Sequence, residues 1–503
     1  MHVQFLLKTL AFTFGLVQAQ NTSAPIVDLG YALHQGSAIK GGNYYNFSNI
    51  PYAEPPLGDL RFRAPQLPSV NRSVVNDVPG VVAGTGSTGR DPMETEDCLL
   101  LDVVVPKKVF ESNSSAPVLV HIHGGGYVVG SKIYFSDPSY LLAKSSDNMI
   151  VVGINYRLGA LGWLAGPSFQ KDGTANAGLL DQRMALEWVQ QHIHLFGGDK
   201  DQVTVMGESA GAGSIVHHVT AYGGKASVPF QRAIPQSPAW IMTSQSPHYL
   251  ETTFQNFLET ANVTSLSELR ALSSEQLLEA NSQAISAAPL GQYIFGPSVD
   301  GDIVTADPKQ LLIHGQFNPN VSLMVGHAAN EGFGFVPTNL TDYNAFLSGY
   351  FTETAADVLA YVEDTLYPPV YNTSFYNNTS TRASRTVADS IINCNAGALA
   401  AAYANNSYAY NFAVEPAIHG SDYSYTWYGS VAVANATIAD ALQDYIISFI
   451  TTGKPTTTVS GVPDMEVYGP SAVAVNFDTS GIIKTTDMAA NERCDWWELS
   501  IMV

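Results

Sequence analysis

The sequence predicts an α/β protein: a mostly parallel central sheet flanked by helices, with large helical insertions. Three observations carry this. Short apolar runs rich in β-branched residues, each bounded by turn residues, recur along the chain. Helix-like stretches separate them. The chain of 503 residues is 46% hydrophobic and only 13% charged, too apolar for disorder and long enough for a large core. Strand alternating with helix is the pattern of a parallel sheet covered on both sides.

The elements follow in order. The opening "MHVQFLLKTLAFTFGLVQAQ" carries one lysine, Lys8, then an uncharged apolar run and the small-residue site "VQA". This predicts a signal peptide over 1–19, cleaved before Gln20, and a single domain over 20–503. The apolar part is too short to span a bilayer, and no later window reaches about 18 apolar residues, so no transmembrane anchor is expected. Strand-like runs then come at "PVLVHIHGG" from Pro117, "MIVVGINYR" from Met149, "QVTVMGES" from Gln202 and "VSLMVGHAANEG" from Val321. "NAGLLDQRMALEWVQQHIHLFGG" from Asn176 reads as helix between them. Residues 245–290 and 338–400 also read as helical and are expected to roof a site.

Charge and modification signals narrow the class. A net charge of −21 repels phosphate backbones, so no nucleic-acid partner is expected. Twelve N-x-S/T sequons fit a secretory, extracellular destination: Asn21, Asn46, Asn71, Asn113, Asn262, Asn320, Asn339, Asn372, Asn377, Asn378, Asn405 and Asn435. Three cysteines, Cys98, Cys394 and Cys494, allow at most one internal disulfide. No clustered His/Cys/Asp spacing points to a metal, and no organic cofactor is expected.

The chemistry gathers at "VTVMGESAGAGS". "QVTVM" reads as strand and "AGAGSIVHHV" as helix, with the G-x-S-x-G pattern between them. In a nucleophile elbow the serine, here Ser209, occupies a strained turn that needs side-chain-free neighbours, here Gly207 and Gly211. The turn leaves the N–H of Ala210 free to bind a developing oxyanion. "HIHGGGYVVG" adds three consecutive glycines, Gly124 to Gly126, whose main chain can approach a ligand closely. Gly125 and Gly126 are the expected further oxyanion donors.

At this point the chain resembles the type-B carboxylesterase/lipase family of α/β-hydrolases, and in particular its secreted fungal members. The residues that carry the resemblance are "NFSNIPYAEPPLGDLRF" (Asn46–Phe62), "EDCLLLDV" (Glu96–Val103), "HGGGY", "NYRLGALGWL" (Asn155–Leu164), "NAGLLDQRMALEWV" and "GESAGA". The resemblance implies the α/β-hydrolase fold and a serine hydrolase that cleaves small-molecule or lipid carboxylic esters through an acyl-enzyme.

A serine hydroxyl needs a base held by a carboxylate. His121 and His123 lie in the glycine-loop strand, and His217 and His218 on the helix after the serine; packing is the reading for all four. His419 stands in a loop after the strand-like "SYAYNFAV", and the family's H-G-x-x-x-x-Y pattern falls on it. For the acid, Asp300, Asp302 and Glu331 compete. Glu331 directly follows the apolar run "VSLMVG" and matches the family's G-x-x-x-x-E-G setting, whereas "DGD" at Asp300 is turn chemistry. Glu208 and Ser237 are expected to support the site, the latter resembling the family serine that braces the acid. The resemblance also implies an Arg61–Glu96 structural ion pair and a Cys394–Cys494 disulfide. Cys98 has no cysteine upstream to pair with, and is expected to be a buried thiol. Leu100 and Asp102 depart from the family's commoner Tyr and Asn. Three readings stay open beside esterase: interfacial lipase, hydrolase or acyl transferase for a secondary metabolite, and non-catalytic binding protein on the same scaffold.

Overall fold

The computed structural model describes residues 25–76, 82–83, 94–112, 115–132, 137–240, 246–371 and 375–499. The predicted signal peptide and the sequons at Asn21, Asn113 and Asn372 lie outside them.

Among the described residues eleven strands form the central sheet: β1 (Ser37–Ile39), β2 (Tyr44–Pro51), β3 (Leu100–Pro106), β4 (Ala116–Ile122), β5 (Ile150–Ile154), β6 (Gly198–Glu208), β7 (Arg232–Gln236), β8 (Ser322–Ala328), β9 (Ser407–Phe412), β10 (Val473–Asp478) and β11 (Gly481–Thr486). Their order is β11-β10-β9-β8-β7-β6-β4-β5-β3-β2-β1. The run from β10 to β5 is parallel, while β3, β2, β1 and β11 pair antiparallel at the two edges. All four strand-like runs and the helix at 176 are where the sequence puts them. The antiparallel edges, and a small N-terminal sheet of Ile26–Asp28, Ala32–Gln35 and Asn71–Asn76, had no such signal.

Helices cover both faces: α1 (Ala177–His192), α2 (Ala210–Thr220), α3 (Pro247–Thr260), α4 (Ser274–Ser286), α5 (Thr379–Ala388), α6 (Cys394–Ala402), α7 (Ala436–Thr452) and α8 (Glu492–Glu498). Along β4 the side chains alternate between two cores, as strand geometry requires. Val118, Val120 and Ile122 pack with Leu186, Val189 and Ile215 of α1 and α2. Leu119 packs on the other side with Leu442, Ile446 and Phe449 of α7. A third core under the 343–391 insertion holds the Cys394–Cys494 disulfide, which ties α8 to α6 across 100 residues of chain. Among the described residues no helix is long and apolar enough to cross a membrane.

Strand order reverses direction at β4: β5 lies on one side of it and β6 on the other. In open parallel sheets the crevice beyond the strand ends at such a reversal is where ligands bind. Ser209 follows β6, and the glycine triplet follows β4.

Candidate active site

Ser209 adopts φ 58° and ψ −123° between β6 and α2, a left-handed conformation that costs strain for any L-residue. Its glycine neighbours are obligatory. A Cβ on Gly211 would lie 2.1 Å from the Ile122 carbonyl oxygen, and one on Gly207 would lie 2.6 Å from the Gly211 main chain. The Ser209 carbonyl accepts from the N–H groups of Gly213 and Ala239, which fixes the turn. The N-terminus of α2 therefore starts at the serine, its positive dipole end beside the hydroxyl.

The loop after β4 comes up against the same serine. A Cβ on Gly124 would fall 3.0 Å from Ser209 Cβ, so only glycine permits this approach. Gly125 and Gly126 follow with φ of 103° and 60°. Among the described residues no acceptor engages the N–H of Gly125, Gly126 or Ala210, leaving all three for a ligand.

Three side chains from distant segments join here. The Ser209 hydroxyl lies 2.7 Å from His419 Nε2, and His419 Nδ1 lies 2.6 Å from Glu331 Oε2. Glu331 is fully buried. Its Oε1 accepts from the Ser237 hydroxyl and from the Ala328 N–H, both at 2.6 Å. The loops bearing acid and imidazole are laced together: Asn330 N–H donates to the Ala417 carbonyl, and Asn330 Nδ2 to the Pro416 carbonyl. Phe335 packs on the imidazole with ring centroids 5.3 Å apart.

Glu208 does more than brace this arrangement. Its Oε1 is 3.3 Å from His419 Nε2, so it touches the imidazole on the edge that faces Ser209. Asp422, three residues after His419, is a further buried carboxyl, bonded to the Tyr410 hydroxyl and to Gln236 Nε2. Burial lowers the pKa of His419, but the charges of Glu208, Glu331 and Asp422 outweigh it and carry the imidazole up to about 9. Burial pushes Glu208 up to about 7, against the pull of His419. Burial also acts to raise Glu331, yet His419 and the bonds from Ala328 and Ser237 hold it below the ordinary carboxylate range.

The other candidates take structural places. Asp300 Oδ1 accepts from the N–H groups of Asp302 and Val304, a turn. His121, His123, His217 and His218 are buried, His123 stacking on Tyr156 and His218 bonding Gln182. Arg61 and Glu96 form a buried bidentate pair, and Cys98 is a buried thiol. Asp102 binds Lys132 Nζ at 2.6 Å, a lysine side chain with no exposure, so its departure from the family's Asn comes with a partner.

Tyr127, Trp163, Trp240, Tyr249, Tyr293 and Phe295 are among the walls of the cavity above Ser209. Tyr249 belongs to α3 and Tyr293 to the 289–297 segment, so an insertion read as roofing does line the site. The aromatic walls had no sequence signal.

Comparisons with known proteins give the family. The carboxylesterase family model matches residues 23–497. The chain is 39% identical to the carboxylesterase patB of Aspergillus clavatus, over 95% of this chain and 97% of that one. It is 36% identical to a secreted lipase of Arthroderma benhamiae, over 72% of each. The crystal structure of Aspergillus niger EstA has a TM-score of 0.85 at 28% identity, covering 96% of this chain and 100% of that one. The mixed sheet with its flanking helices is the α/β-hydrolase fold, and the chain belongs to the carboxylesterase family, a carboxylic ester hydrolase.

Proposed function

We propose that this chain is an exported serine hydrolase, a single domain over 20–503 behind a cleaved leader over 1–19, which works through an acyl-enzyme. The observation that carries the mechanism is the unbroken hydrogen-bond chain from Ser209 through His419 to Glu331. Ser209 Oγ attacks the acyl carbon while His419 Nε2 takes its proton. Glu331 holds Nδ1–H, fixes the tautomer and offsets the imidazolium charge. The N–H groups of Gly125, Gly126 and Ala210 bind the oxyanion, each donor worth roughly 3 kcal/mol in the transition state. His419 then gives the proton to the leaving alcohol, and water releases the acid by the same steps in reverse.

Glu208 adds a second carboxylate at the working nitrogen. Its Oε1, 3.3 Å from His419 Nε2, offsets the charge of the imidazolium that forms as His419 takes the serine proton. Ser209 is the residue an organophosphate should label, and Ser209→Ala should abolish the label. A label on another serine overturns the assignment.

Soluble esters are the favoured substrates over lipid interfaces. The match to a carboxylesterase runs over 95% of the chain, that to the secreted lipase over 72%. Rates measured below and above the solubility limit of one ester test this; a jump above the limit means interfacial lipase.

A further inference from the structure

A second cavity of about 210 Å³ lies between α1 and the small N-terminal sheet, and none of its lining residues borders the active-site cavity. Its walls include Tyr31, Tyr52, Leu67, Trp188, Gln191 and His192. The polar tips of the aromatic walls are turned inward. The Tyr31 hydroxyl donates to the Pro51 carbonyl and accepts from Trp188 Nε1, and the Tyr52 hydroxyl donates to the Asn155 carbonyl. What remains for an occupant is ring surface, together with the exposed amide of Gln191, the half-buried imidazole of His192 and the exposed carboxylate of Glu187, which pairs with Arg183. Burial, then His194, lowers the pKa of His192, so the neutral ring offers one donor and one acceptor. Apolar ring faces beside a few polar groups, a carboxylate among them, suit a sugar, which has apolar C–H faces and hydroxyl edges.

A source of sugar stands at the rim. Asn71 is exposed and begins the sequon Asn71-Arg72-Ser73. Its main-chain N–H donates to the carbonyl of Tyr31, a wall residue, at 2.8 Å. Its Oδ1 accepts from the N–H and hydroxyl of Ser73, while among the described residues Nδ2, the atom that is glycosylated, has no partner. Leu67 and Val70, on the segment that leads into Asn71, are 74% and 75% exposed. Single exposed apolar residues are ordinary. Two beside one sequon and one aromatic cavity are surface for a glycan to cover.

We propose that Asn71 carries an N-linked glycan whose first sugars lie in the Tyr31–Trp188 cavity and seat the N-terminal sheet on α1. The inference rests on the secretory route proposed above. The donor is a lipid pyrophosphate-linked oligosaccharide: its anomeric carbon–oxygen bond to phosphate breaks, the bond to Asn71 Nδ2 forms, and the amide proton leaves with the lipid pyrophosphate.

The full chain, expressed in a eukaryotic secretory host, tests this by peptide mapping and by native-state release with a peptide N-glycosidase. Asn71 should be occupied, and its glycan should be released at least tenfold more slowly than those at the exposed Asn262 and Asn320. The double variant Gln191→Ala/His192→Ala should erase that protection and leave ester hydrolysis unchanged. An unoccupied Asn71 beside occupied Asn262 or Asn320, or equal release rates, overturns the inference alone. Sugar at no sequon overturns it together with the secretory route. A protected glycan on a chain without Ser209-dependent hydrolysis supports it and removes only the catalytic reading.

Discussion

Two histidine–carboxylate pairs with buried acids lie within a few residues of one another. His419 bonds Glu331 at 2.6 Å, and His327, four positions before Glu331, bonds Asp487 at 2.9 Å. Both imidazoles are held above their ordinary pKa by carboxylates that outweigh burial. Only one of them faces a nucleophile. His419 meets its acid through Nδ1 and leaves Nε2 for Ser209, with its side chain 15% exposed. His327 spends Nε2 on Asp487, its Nδ1 is 3.4 Å from the Ala328 carbonyl, and its side chain is 3% exposed. A histidine–acid hydrogen bond is thus a framework element unless the second nitrogen is left free beside a hydroxyl that substrate can reach.

Removing the hydroxyl is the largest break in the comparison. Ser209→Ala should fold normally and lose on the order of 10⁶ in kcat, measured on a chromogenic ester. Glu331→Gln keeps the shape and removes the charge behind the imidazolium, costing about 10⁴ in kcat. If Asp300→Asn is the damaging change and Glu331→Gln is nearly silent, the acid has been misassigned.

The matching change at the other pair should separate stability from chemistry. Asp487→Asn breaks a buried pair and leaves His327 without its counter-charge, which should cost about 3 kcal/mol in denaturant unfolding. Turnover of the folded variant should stay within about twofold of the parent. A fall in kcat as large as that of Glu331→Gln would make the two pairs functionally alike.

These contrasts were unevenly legible in the sequence. Ser209 could be read because its turn excludes any side chain at 207 and 211, and Glu331 because its loop follows an apolar strand and matches the family's G-x-x-x-x-E-G setting. His419 came from chain order and the family pattern, since a loop histidine has no periodicity. The parallel strands were visible as apolar runs, whereas β2 contains Asn46, Ser48 and Asn49 and lies toward an edge, where the apolar signal is diluted. Asp422 was invisible: its partners Tyr410 and Gln236 come from β9 and β7, brought together only by the sheet order. The contact of Glu208 with the imidazole was missed for the same reason, since the approach depends on how the His419 loop lies over β6.

Glu208 is the remaining difference between the two pairs, and the smallest expected effect lies there. His419 has a second carboxylate at its working nitrogen, at 3.3 Å, and Glu208→Gln removes that charge in nearly the same volume. Burial, which lowers the imidazole pKa, is then opposed by fewer carboxylates, so the pKa must fall from its raised value. The neutral, competent base persists to lower pH, and the acid limb of kcat/KM should move down by about one unit, the shift that about 1.4 kcal/mol of lost charge interaction produces. The imidazolium of the transition state loses the same support, so kcat on the plateau should drop by no more than about tenfold. A pH–rate profile of parent and variant reads both. An acid limb that stays in place, or moves to higher pH, means that Glu208 does not act on His419 through its charge.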